Sequence, residues 1–369
     1  MPAERLRSFE AVEALATPGT HALVLASGSL ASAYLVRRMA ARFPGAVTVL
    51  HVGLGVDAGA PEPLPALCQA LSVELQSLDA SADFAERFVV PAIRAQARFQ
   101  GTSPLSHSLW QALVAEKAAG IARERHLRLV VHAAAAGRHS LDRLNTALVE
   151  LGFTGAYGSP FEAKPVPPEE KLRALQELGI GPSPSWQPRV RENLWSRTLE
   201  AGEPGASGGQ GWKDGAFTWT KATREQPMRV LIGFERGTPK LLDGCPLGLK
   251  ELLSTLNREV GAYGLGRFLH LDTSEEVRVD QVHEAPGAAL LLDAYKRLET
   301  ECLPAELLRE KQRLEQLWTR EAVAGRWFGL PRRAAESFVA TLAESVTGEV
   351  EYELSRGGPR PLRIQPKKQ

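Results

Sequence analysis

The order of elements near the amino terminus is the feature that most constrains how this chain folds. A short apolar segment at His21–Ala26 predicts a β-strand, and it runs into the small residues Ser27–Ser29. A helical pattern follows at Leu30–Phe43, and a second apolar strand is predicted at Ala46–Val52. A strand, a helix and a strand in this order form a βαβ unit, which requires a parallel sheet. The sequence therefore predicts an α/β fold.

Further elements are predicted along the rest of the chain. Strands are expected at Val73–Leu78, Leu127–His132, Arg229–Glu235, Pro239–Leu242, Arg267–Leu271 and, as an exposed strand, Glu349–Leu354. Helices are expected at Phe84–Phe99, Ser108–His126, Pro168–Leu178 and Leu247–Val260. The region Leu290–Glu321 is expected to be mostly helical, and Phe338–Val346 is expected to form the end of a further helix. Prolines crowd the stretch 159–188, and the glycines of Gly202–Gly215 predict a mobile loop. The residues after Leu354 are expected to form a solvated basic tail.

Composition excludes several classes of protein. At about 150 residues per domain, 369 residues predict two domains. The formal net charge of +1 gives no general attraction to nucleic acid or to an anionic membrane. The three cysteines, Cys68, Cys245 and Cys302, are too few and too scattered for a disulfide framework. No apolar run approaches the ~20 residues of a membrane span, and Met1–Glu10 lacks the apolar core of a signal peptide. We therefore expect a cytoplasmic protein.

The loop after the first strand has two interpretations. Small residues at Ser27–Ser32 allow backbone amides to approach a phosphate, and the helix that follows adds its dipole. A plain turn is the alternative, because serine caps helices and glycine relieves backbone strain. The loop has neither the Gly-Lys-Ser/Thr of a Walker loop nor a Gly-x-Gly-x-x-Gly fingerprint.

In its surroundings this loop resembles the first loop of the argininosuccinate synthase family, which belongs to the N-type ATP pyrophosphatases. That family reads Ser-Gly-Gly-Leu-Asp-Thr-Ser where this chain has Ser27-Gly28-Ser29-Leu30-Ala31-Ser32-Ala33. Further similar segments follow in the family's order: Phe88–Ile93, Gly101–Ser103, Glu192–Arg197, Glu200–Gly202, Leu256–Asn257, Gly264–Arg267, Glu284–Gly287, Gly325–Phe328 and Val346–Val350. The resemblance covers residues 20–355.

The resemblance implies an ATP-dependent ligase. In this family ATP, with Mg²⁺, activates the ureido oxygen of citrulline as an adenylate, and the amine of aspartate then displaces AMP, a reaction of arginine biosynthesis. It implies a nucleotide-binding domain at 1–165, a synthetase and multimerisation domain at 166–345, and a C-terminal arm at 346–369 in a homotetramer. The implied ATP-binding residues are Ala26, Ser27, Gly28, Ser29 and Ser32. The implied residues for a substrate resembling citrulline or another amino acid are Thr102, Ser103, Arg143, Thr198, Glu200, Asp272 and His283.

The ATP and aspartate segments depart from the family pattern. Ala31 replaces the loop's aspartate, which puts metal and pyrophosphate binding in doubt, and Ser29 replaces its second glycine. A side chain at 29 narrows the approach of a phosphate if the backbone there must have a positive φ. The segment that binds aspartate in the family aligns with residues 132–143, and four of its polar residues are replaced here. Ala135 stands for the family's threonine, and Gly137, His139 and Ser140 stand for its lysine, asparagine and aspartate, in that order. His132 and Arg143 are retained, and Arg138 and His139 are new candidate partners for an anion.

The citrulline contacts are mixed. Arg98-Phe99 replaces the family's Tyr-Pro, and residues are inserted after Ser103, from Pro104 to Ser108. Ser103 and Glu200 are retained, and Thr198 replaces a family serine and keeps a hydroxyl. Three further positions differ: Asp272 stands for a glutamate, His283 replaces a tyrosine, and the family's Gly-x-Lys-Ser-Arg is absent between Glu275 and Gln281.

Two functions remain open at this point. The first is an argininosuccinate-synthase-type ligase with an altered substrate, which the persistence of Ser103, Arg143, Thr198 and Glu200 favours. The second is a catalytically inactive homologue that binds a metabolite or a partner, which the alanines at 31 and 135 favour. Nucleic-acid binding has only the basic tail in its favour, and no metal site or catalytic residue is assigned.

Overall fold

The computed structural model describes residues 3–136, 139–183, 186, 189–200, 214–272 and 279–367. The strands, in chain order, are β1 (Glu4–Leu6), β2 (Ala22–Leu25), β3 (Val47–Gly53), β4 (Glu74–Asp79), β5 (Arg98–Phe99), β6 (Ser103–Pro104), β7 (Leu129–His132), β8 (Ala156–Gly158), β9 (Arg189–Glu192), β10 (Arg197–Glu200), β11 (Met228–Glu235), β12 (Thr238–Leu242), β13 (Cys245–Pro246), β14 (Arg267–Asp272), β15 (Val279–Glu284), β16 (Gly348–Ser355) and β17 (Gly358–Pro366). The helices are α1 (Phe9–Glu13), α2 (Leu30–Arg42), α3 (Leu64–Ala70), α4 (Ser81–Phe84), α5 (Val90–Arg94), α6 (His107–Glu124), α7 (His139–Glu150), α8 (Pro168–Gln176), α9 (Leu249–Gly261), α10 (Pro286–Cys302), α11 (Ala305–Val323) and α12 (Leu330–Ala343). Within these described ranges no helix is long and apolar enough to cross a membrane.

Six strands form one parallel sheet in the order β1-β8-β7-β2-β3-β4. In its centre, Leu25 of β2 lies opposite Leu50 of β3 on one side and His132 of β7 on the other. Helices α2, α3 and α8 cover one face of the sheet, and α6 and α7 cover the other. Both faces are therefore buried, as parallel sheets require. The predicted α/β fold is confirmed.

The strand order reverses at β2. The chain passes from β2 outward to β3 and β4, then crosses back to β7 and β8 on the opposite side. The carboxyl ends of β2 and β7 therefore flank a crevice, which is where open α/β sheets bind ligands. The loop that begins at Ala26 and the loop that begins at Ala133 border this crevice.

Two antiparallel sheets follow in the second half of the chain. One has five strands in the order β13-β12-β11-β16-β17, and the other has four in the order β14-β15-β10-β9. Strand β16 lies between β11 and β17, and it buries Val350, Tyr352 and Leu354 on one face. The prediction of an exposed strand at Glu349–Leu354 is therefore wrong, because every second side chain enters the core.

Most of the expected tail is an ordered strand, β17, although its basic side chains stay largely exposed as predicted. Its arginines face carboxylates on β16: Arg360 Nη2 lies 2.7 Å from Glu353 Oε1, and Arg363 Nε lies 3.5 Å from Glu351 Oε2. Opposite charges on neighbouring strands favour this pairing. The segment expected as a C-terminal arm thus begins as part of the five-stranded sheet, and the domain boundaries at 165 and 345 stay predictions.

The long helix predicted at Phe84–Phe99 is broken. A π-helical turn at Ala85–Val89 separates α4 from α5, and α5 ends at Arg94. Pro91 has no amide hydrogen to donate to the preceding turn, so a regular α-helix cannot continue through it. Gln96 then adopts a φ of +48°, which turns the chain toward β5.

The broken helix lies in a core that joins both halves of the chain. Phe84 and Phe88 belong to the same buried cluster as Trp327 and Tyr352. The rings of Phe88 and Trp327 are stacked with centroids 4.8 Å apart. The first half of the chain is therefore packed directly against the second.

Candidate functional site

The loop after β2 turns sharply into α2. Gly28 has a φ of +79°, and a Cβ at this position would lie 2.5 Å from Pro61 Cγ, so the turn requires glycine. Ser29 has a φ of −68° and a ψ of 157°, which is extended backbone that any residue adopts. The condition of a positive φ at residue 29 is therefore not met, and the serine there causes no backbone strain.

Serine hydroxyls cap the first turn of α2. Ser29 Oγ accepts a hydrogen bond from the Ser32 amide at 3.3 Å, and Ser32 Oγ donates to the Ser29 carbonyl at 2.9 Å. Ser27 Oγ donates to Ser29 Oγ at 3.2 Å, and the Trp186 indole donates to the Gly28 carbonyl at 3.1 Å. This arrangement holds the loop in one conformation without a ligand.

The loop fits an anion better than a metal ion. In the described chain the backbone amides of Leu30 and Ala31 have no hydrogen-bond partner, and they lie at the positive end of α2. The Ala26 carbonyl is already hydrogen-bonded to His51 Nδ1 at 3.1 Å. Residues 26–32 contain no carboxylate, and no cluster of His, Cys, Asp and Glu suited to a metal occurs among the described residues. Mg²⁺ at this loop would have to be held by phosphate oxygens and water.

A second site is a polar cleft where β6 and the start of α6 meet α7 and β15. Its walls are formed by Phe99, Ser103, Pro104, Leu105, Ser106, His107, Ser108, His139, Arg143, Gln281 and His283, and it continues past Ser140, Arg191 and Glu200. The cavity volume is about 40 Å³, which is room for about three waters.

The cleft brings together most of the substrate-binding residues predicted from sequence. Ser103, Arg143, Glu200 and His283 line it. Thr198 lies directly beside His283, with its Oγ1 3.1 Å from His283 Nδ1. These residues come from β6, α7, β10 and β15, so the fold rather than local sequence assembles them.

The pairing of β10 with β15 explains why four polar side chains share one wall. Thr198 lies opposite His283, and Glu200 lies opposite Gln281. Residues two apart on a strand point to the same face of a sheet, so both pairs face the same way. A shift of β15 by one residue against β10 would turn Gln281 and His283 away from the side that Thr198 and Glu200 face.

The cleft is more positive than negative. Glu200 is only 2 % exposed and lies 3.5 Å from Arg191 Nη2. Arg143 is also buried, and it donates from Nε to the Val323 carbonyl at 2.7 Å and from Nη1 to Gln111 Oε1 at 3.4 Å. Two arginines therefore face one carboxylate among the lining residues, which favours an anionic ligand.

Several predicted residues are not part of the cleft or cannot be placed there. Thr102 is exposed, and its hydroxyl donates to the Phe99 carbonyl at 3.1 Å within a turn. Asp272 is the last residue of β14, and its side chain lies outside the described part of the structure, as do Arg138, the loop at 201–213 and residues 273–278. His139 lines the cleft as proposed for an anion partner.

Sequence reasoning missed several polar lining residues, among them Ser106 and Ser108 and three larger side chains: His107, Arg191 and Gln281. His107 lies in the inserted segment, which has no counterpart in the family pattern. Arg191 and Gln281 each lie on a strand neighbouring β10, and the alternation of side chains around Thr198 was the signal that could have found them.

His132 lies at the start of the segment that leads from the crevice to the cleft. It ends β7, and the chain then leads into α7, whose first turn carries His139. His132 Nε2 lies 2.9 Å from Asn145 Oδ1, and its Nδ1 accepts from the Ala134 amide at 3.3 Å. The ring is thus a neutral tautomer with its hydrogen on Nε2. Burial lowers the pKa of His132 to about 4.

This burial predicts a pH-dependent stability. The unfolded chain takes up a proton at His132 near pH 6.5, whereas the folded protein does so only near pH 4. The contribution is therefore complete above pH 6.5 and is lost as the pH falls from 6.5 toward 4. At pH 5 the loss is roughly 2 kcal/mol relative to pH 7. Denaturant unfolding at both pH values should show this extra loss in the native protein and not in His132→Gln. Equal losses in the two proteins would contradict it.

Fold and site together define a two-part α/β protein of the N-type ATP-pyrophosphatase type, with a crevice at the switch point of its parallel sheet and a polar cleft beside it. Comparison with known proteins agrees. Residues 189–360 match the family model of the arginosuccinate synthase C-terminal domain. The argininosuccinate synthase of Hyperthermus butylicus is 32 % identical over 287 residues, which cover 76 % of this chain and 72 % of that protein.

Two other relatives give longer matches. The argininosuccinate synthase of Symbiobacterium thermophilum is 32 % identical over 321 residues, 83 % of this chain and 79 % of that protein. That of Dictyoglomus thermophilum is 28 % identical over 339 residues, 89 % of this chain and 83 % of that protein. The chain belongs to the argininosuccinate synthase family.

Proposed function

We propose that this protein is an ATP-dependent carbon–nitrogen ligase whose substrates differ from citrulline and aspartate. One observation carries the proposal: Ser103, Arg143, Glu200 and the Thr198–His283 pair converge on one cleft from four separate elements. A chain that had lost all ligand binding would have no reason to keep buried, charged residues in such an arrangement, because burying them costs free energy.

The crevice between β2 and β7 is the proposed site for ATP. The amides of Leu30 and Ala31 and the hydroxyls of Ser27 and Ser29 would hold phosphate oxygens there. ATP bound there would supply an adenylyl group to an oxygen of the other substrate, with pyrophosphate as the group released. The segment from His132 to Arg143 runs from this crevice to the cleft, so residues of one segment reach both sites.

The altered substrate is supported by what lines the cleft. His283 and the inserted His107 face each other, with ring centroids 5.5 Å apart. With His139 they add three imidazoles to a cavity of about 40 Å³. The alanine at 135 removes a polar group from the segment where the family binds aspartate. A more anionic substrate fits this cleft better than a ureido amino acid.

The second candidate is a non-catalytic homologue that binds a metabolite or a partner. A specific observation favours it: the loop after β2 is closed on itself, because Ser29 caps α2 and Trp186 holds the Gly28 carbonyl. Under either function we infer a homotetramer in the cytoplasm, as in the family.

Pyrophosphate release tests the proposal. The full-length protein is incubated with MgATP and a panel of amino and dicarboxylic acids, singly and in pairs, with citrulline and aspartate included. We expect release with a pair other than citrulline and aspartate. Glu200→Gln should raise the KM for one substrate at least tenfold, because it removes the cleft's carboxylate. Glu353→Gln, on the remote strand β16, is the matched control and should leave the KM unchanged.

The same assay separates the two candidates. No pyrophosphate with any pair, together with no thermal shift from millimolar MgATP, would overturn the ligase and favour the non-catalytic homologue. Release with citrulline and aspartate at the rate of other pairs or faster would overturn the altered substrate.

A further inference from the structure

The amino terminus of α6 opens into the cleft without a side-chain cap. Ser106 occupies the cap position of this helix but makes no capping hydrogen bond to it. Its hydroxyl oxygen instead accepts from Asn193 Nδ2 at 3.1 Å and from Ser196 Oγ at 2.7 Å. A hydroxyl oxygen accepts two hydrogen bonds, so the Ser106 hydroxyl cannot cap the helix, and only the Ser106 carbonyl accepts from it, from the amides of Leu109 and Trp110 at 3.0 and 3.4 Å.

The turn at 193–196 fixes this arrangement. Asn193 Oδ1 accepts from the amides of Trp195 and Ser196 at 2.8 and 3.0 Å, which closes a tight turn. The Trp195 indole then donates to the Leu105 carbonyl at 3.1 Å. Asn193 and Trp195 are thus both hydrogen-bonded to the inserted segment, and the uncapped helix end is rigidly placed rather than frayed.

A buried hydroxyl in the first turn of α6 has no partner. Ser108 lines the cleft and is 2 % exposed, and its Oγ makes no hydrogen bond to any described residue. One turn further, Gln111 is fully buried and its Nε2 also has no partner in the described chain. Buried donors are normally satisfied, and Ser108 is the one of the two that lines the cleft, so its hydroxyl indicates that a hydrogen-bonding group is missing from this end of the cleft.

The charges around this point favour an anion. The positive end of an eighteen-residue helix, Arg143 and Arg191 meet there, and the imidazoles of His107 and His139 can donate hydrogen bonds. Glu200 is the only carboxylate among the lining residues, and it lies beside Arg191.

We propose that the uncapped end of α6, with Ser108, binds a compact oxoanion group of the substrate. The proposal deepens the proposed function, because it names the chemical class of the substrate: one that carries a phosphate, phosphonate or carboxylate group small enough for a cavity of about 40 Å³. The hydroxyl and the amide of Ser108 donate to the anion's oxygens, and the arginines balance its charge.

Calorimetric titration of the full-length protein, without ATP, tests the site. Inorganic phosphate, sulfate and acetate are the probes, with ionic strength held constant by chloride. We expect phosphate to bind with a Kd of about 1 mM or tighter. Ser108→Ala should weaken binding about tenfold, since it removes a hydrogen bond to a charged group. Ser254→Ala is the matched control, because Ser254 Oγ on α9 is also a buried hydroxyl without a partner in the described residues but lies outside the cleft.

A second variant keeps the test valid if Ser108→Ala folds poorly. Arg191 is partly exposed on β9 but is paired with the buried Glu200, so the folding of Arg191→Gln is checked first by circular dichroism, and the folded variant should bind phosphate several-fold more weakly. Binding of acetate as tight as that of phosphate assigns the group as a carboxylate, whereas preference for phosphate and sulfate assigns a tetrahedral oxoanion.

Equal phosphate affinity in the native protein, Ser108→Ala and Arg191→Gln would overturn the site, as would no binding at 20-fold above the expected Kd. Because the titration contains no ATP, its result does not depend on whether the protein is a ligase. Pyrophosphate release without anion binding would leave the ligase standing, and anion binding without release would leave this site standing.

Discussion

Replacing Lys311 with alanine is expected to lower the free energy of unfolding by about 3–5 kcal/mol. Lys311 is fully buried in α11. Its Nζ lies 2.7 Å from Glu299 Oε1, is paired with Glu315, and donates to the Arg94 carbonyl at 2.6 Å. Alanine would leave Glu315 without its cation and Glu299 with only the partly exposed Lys296. Denaturant unfolding followed by circular dichroism measures the loss.

Lys296 provides the matched control for this prediction. Its Nζ lies 3.0 Å from Oε2 of the same Glu299, but its side chain is 33 % exposed. Lys296→Ala should therefore cost less than about 1 kcal/mol, as expected for a solvated ion pair. A loss from Lys311→Ala no larger than that from Lys296→Ala would show that the buried network does not stabilise the fold.

Replacing Glu284 with glutamine is expected to cost about as much, roughly 3–5 kcal/mol. Glu284 is fully buried, is paired with Arg197, and accepts from the amides of Thr218 and Thr220 at 3.1 and 2.8 Å. Glutamine keeps the shape but leaves the Arg197 guanidinium buried without its charge partner. Because Arg197 and Glu284 pair β10 with β15, the wall that carries Thr198 should loosen as well.

A second glutamate near the same arginine serves as the control. Glu192 Oε2 lies 3.6 Å from Arg197 Nε, and the Glu192 side chain is 49 % exposed. Glu192→Gln should cost less than about 1 kcal/mol. Chemical denaturation of both variants, with phosphate titration as the second readout, distinguishes them. Equal stability of Glu284→Gln and the native protein would contradict the assignment of this pair as a structural anchor.

The first half of the fold was predictable because its signals are local. The apolar run before Ser27 and the helical pattern after it define β2 and α2 close to their observed bounds. The break in the helix at 84–99 was predictable only in part: Pro91 marks it, but burial of Phe88 against a distant tryptophan keeps the segment compact. Strand β17 was missed because its arginines appear solvated until their partners on β16 are known.

The candidate site was predictable where it follows family positions. Ser103, Arg143, Glu200 and His283 line the cleft as the resemblance implied. His107 could not be predicted, because its position depends on how the inserted segment is anchored. That anchor joins residues nearly a hundred positions apart in sequence, and only the folded chain shows it.

The core that joins the two halves of the chain also bears on how the protein is made. Phe84, Phe88 and Val89 leave the ribosome long before Trp327 and Tyr352, with which they are buried. During synthesis the first half therefore carries an uncovered apolar surface until almost the whole polypeptide is complete. Exposed apolar surface of this kind makes a nascent chain prone to aggregation, which is the hazard that chaperones counter.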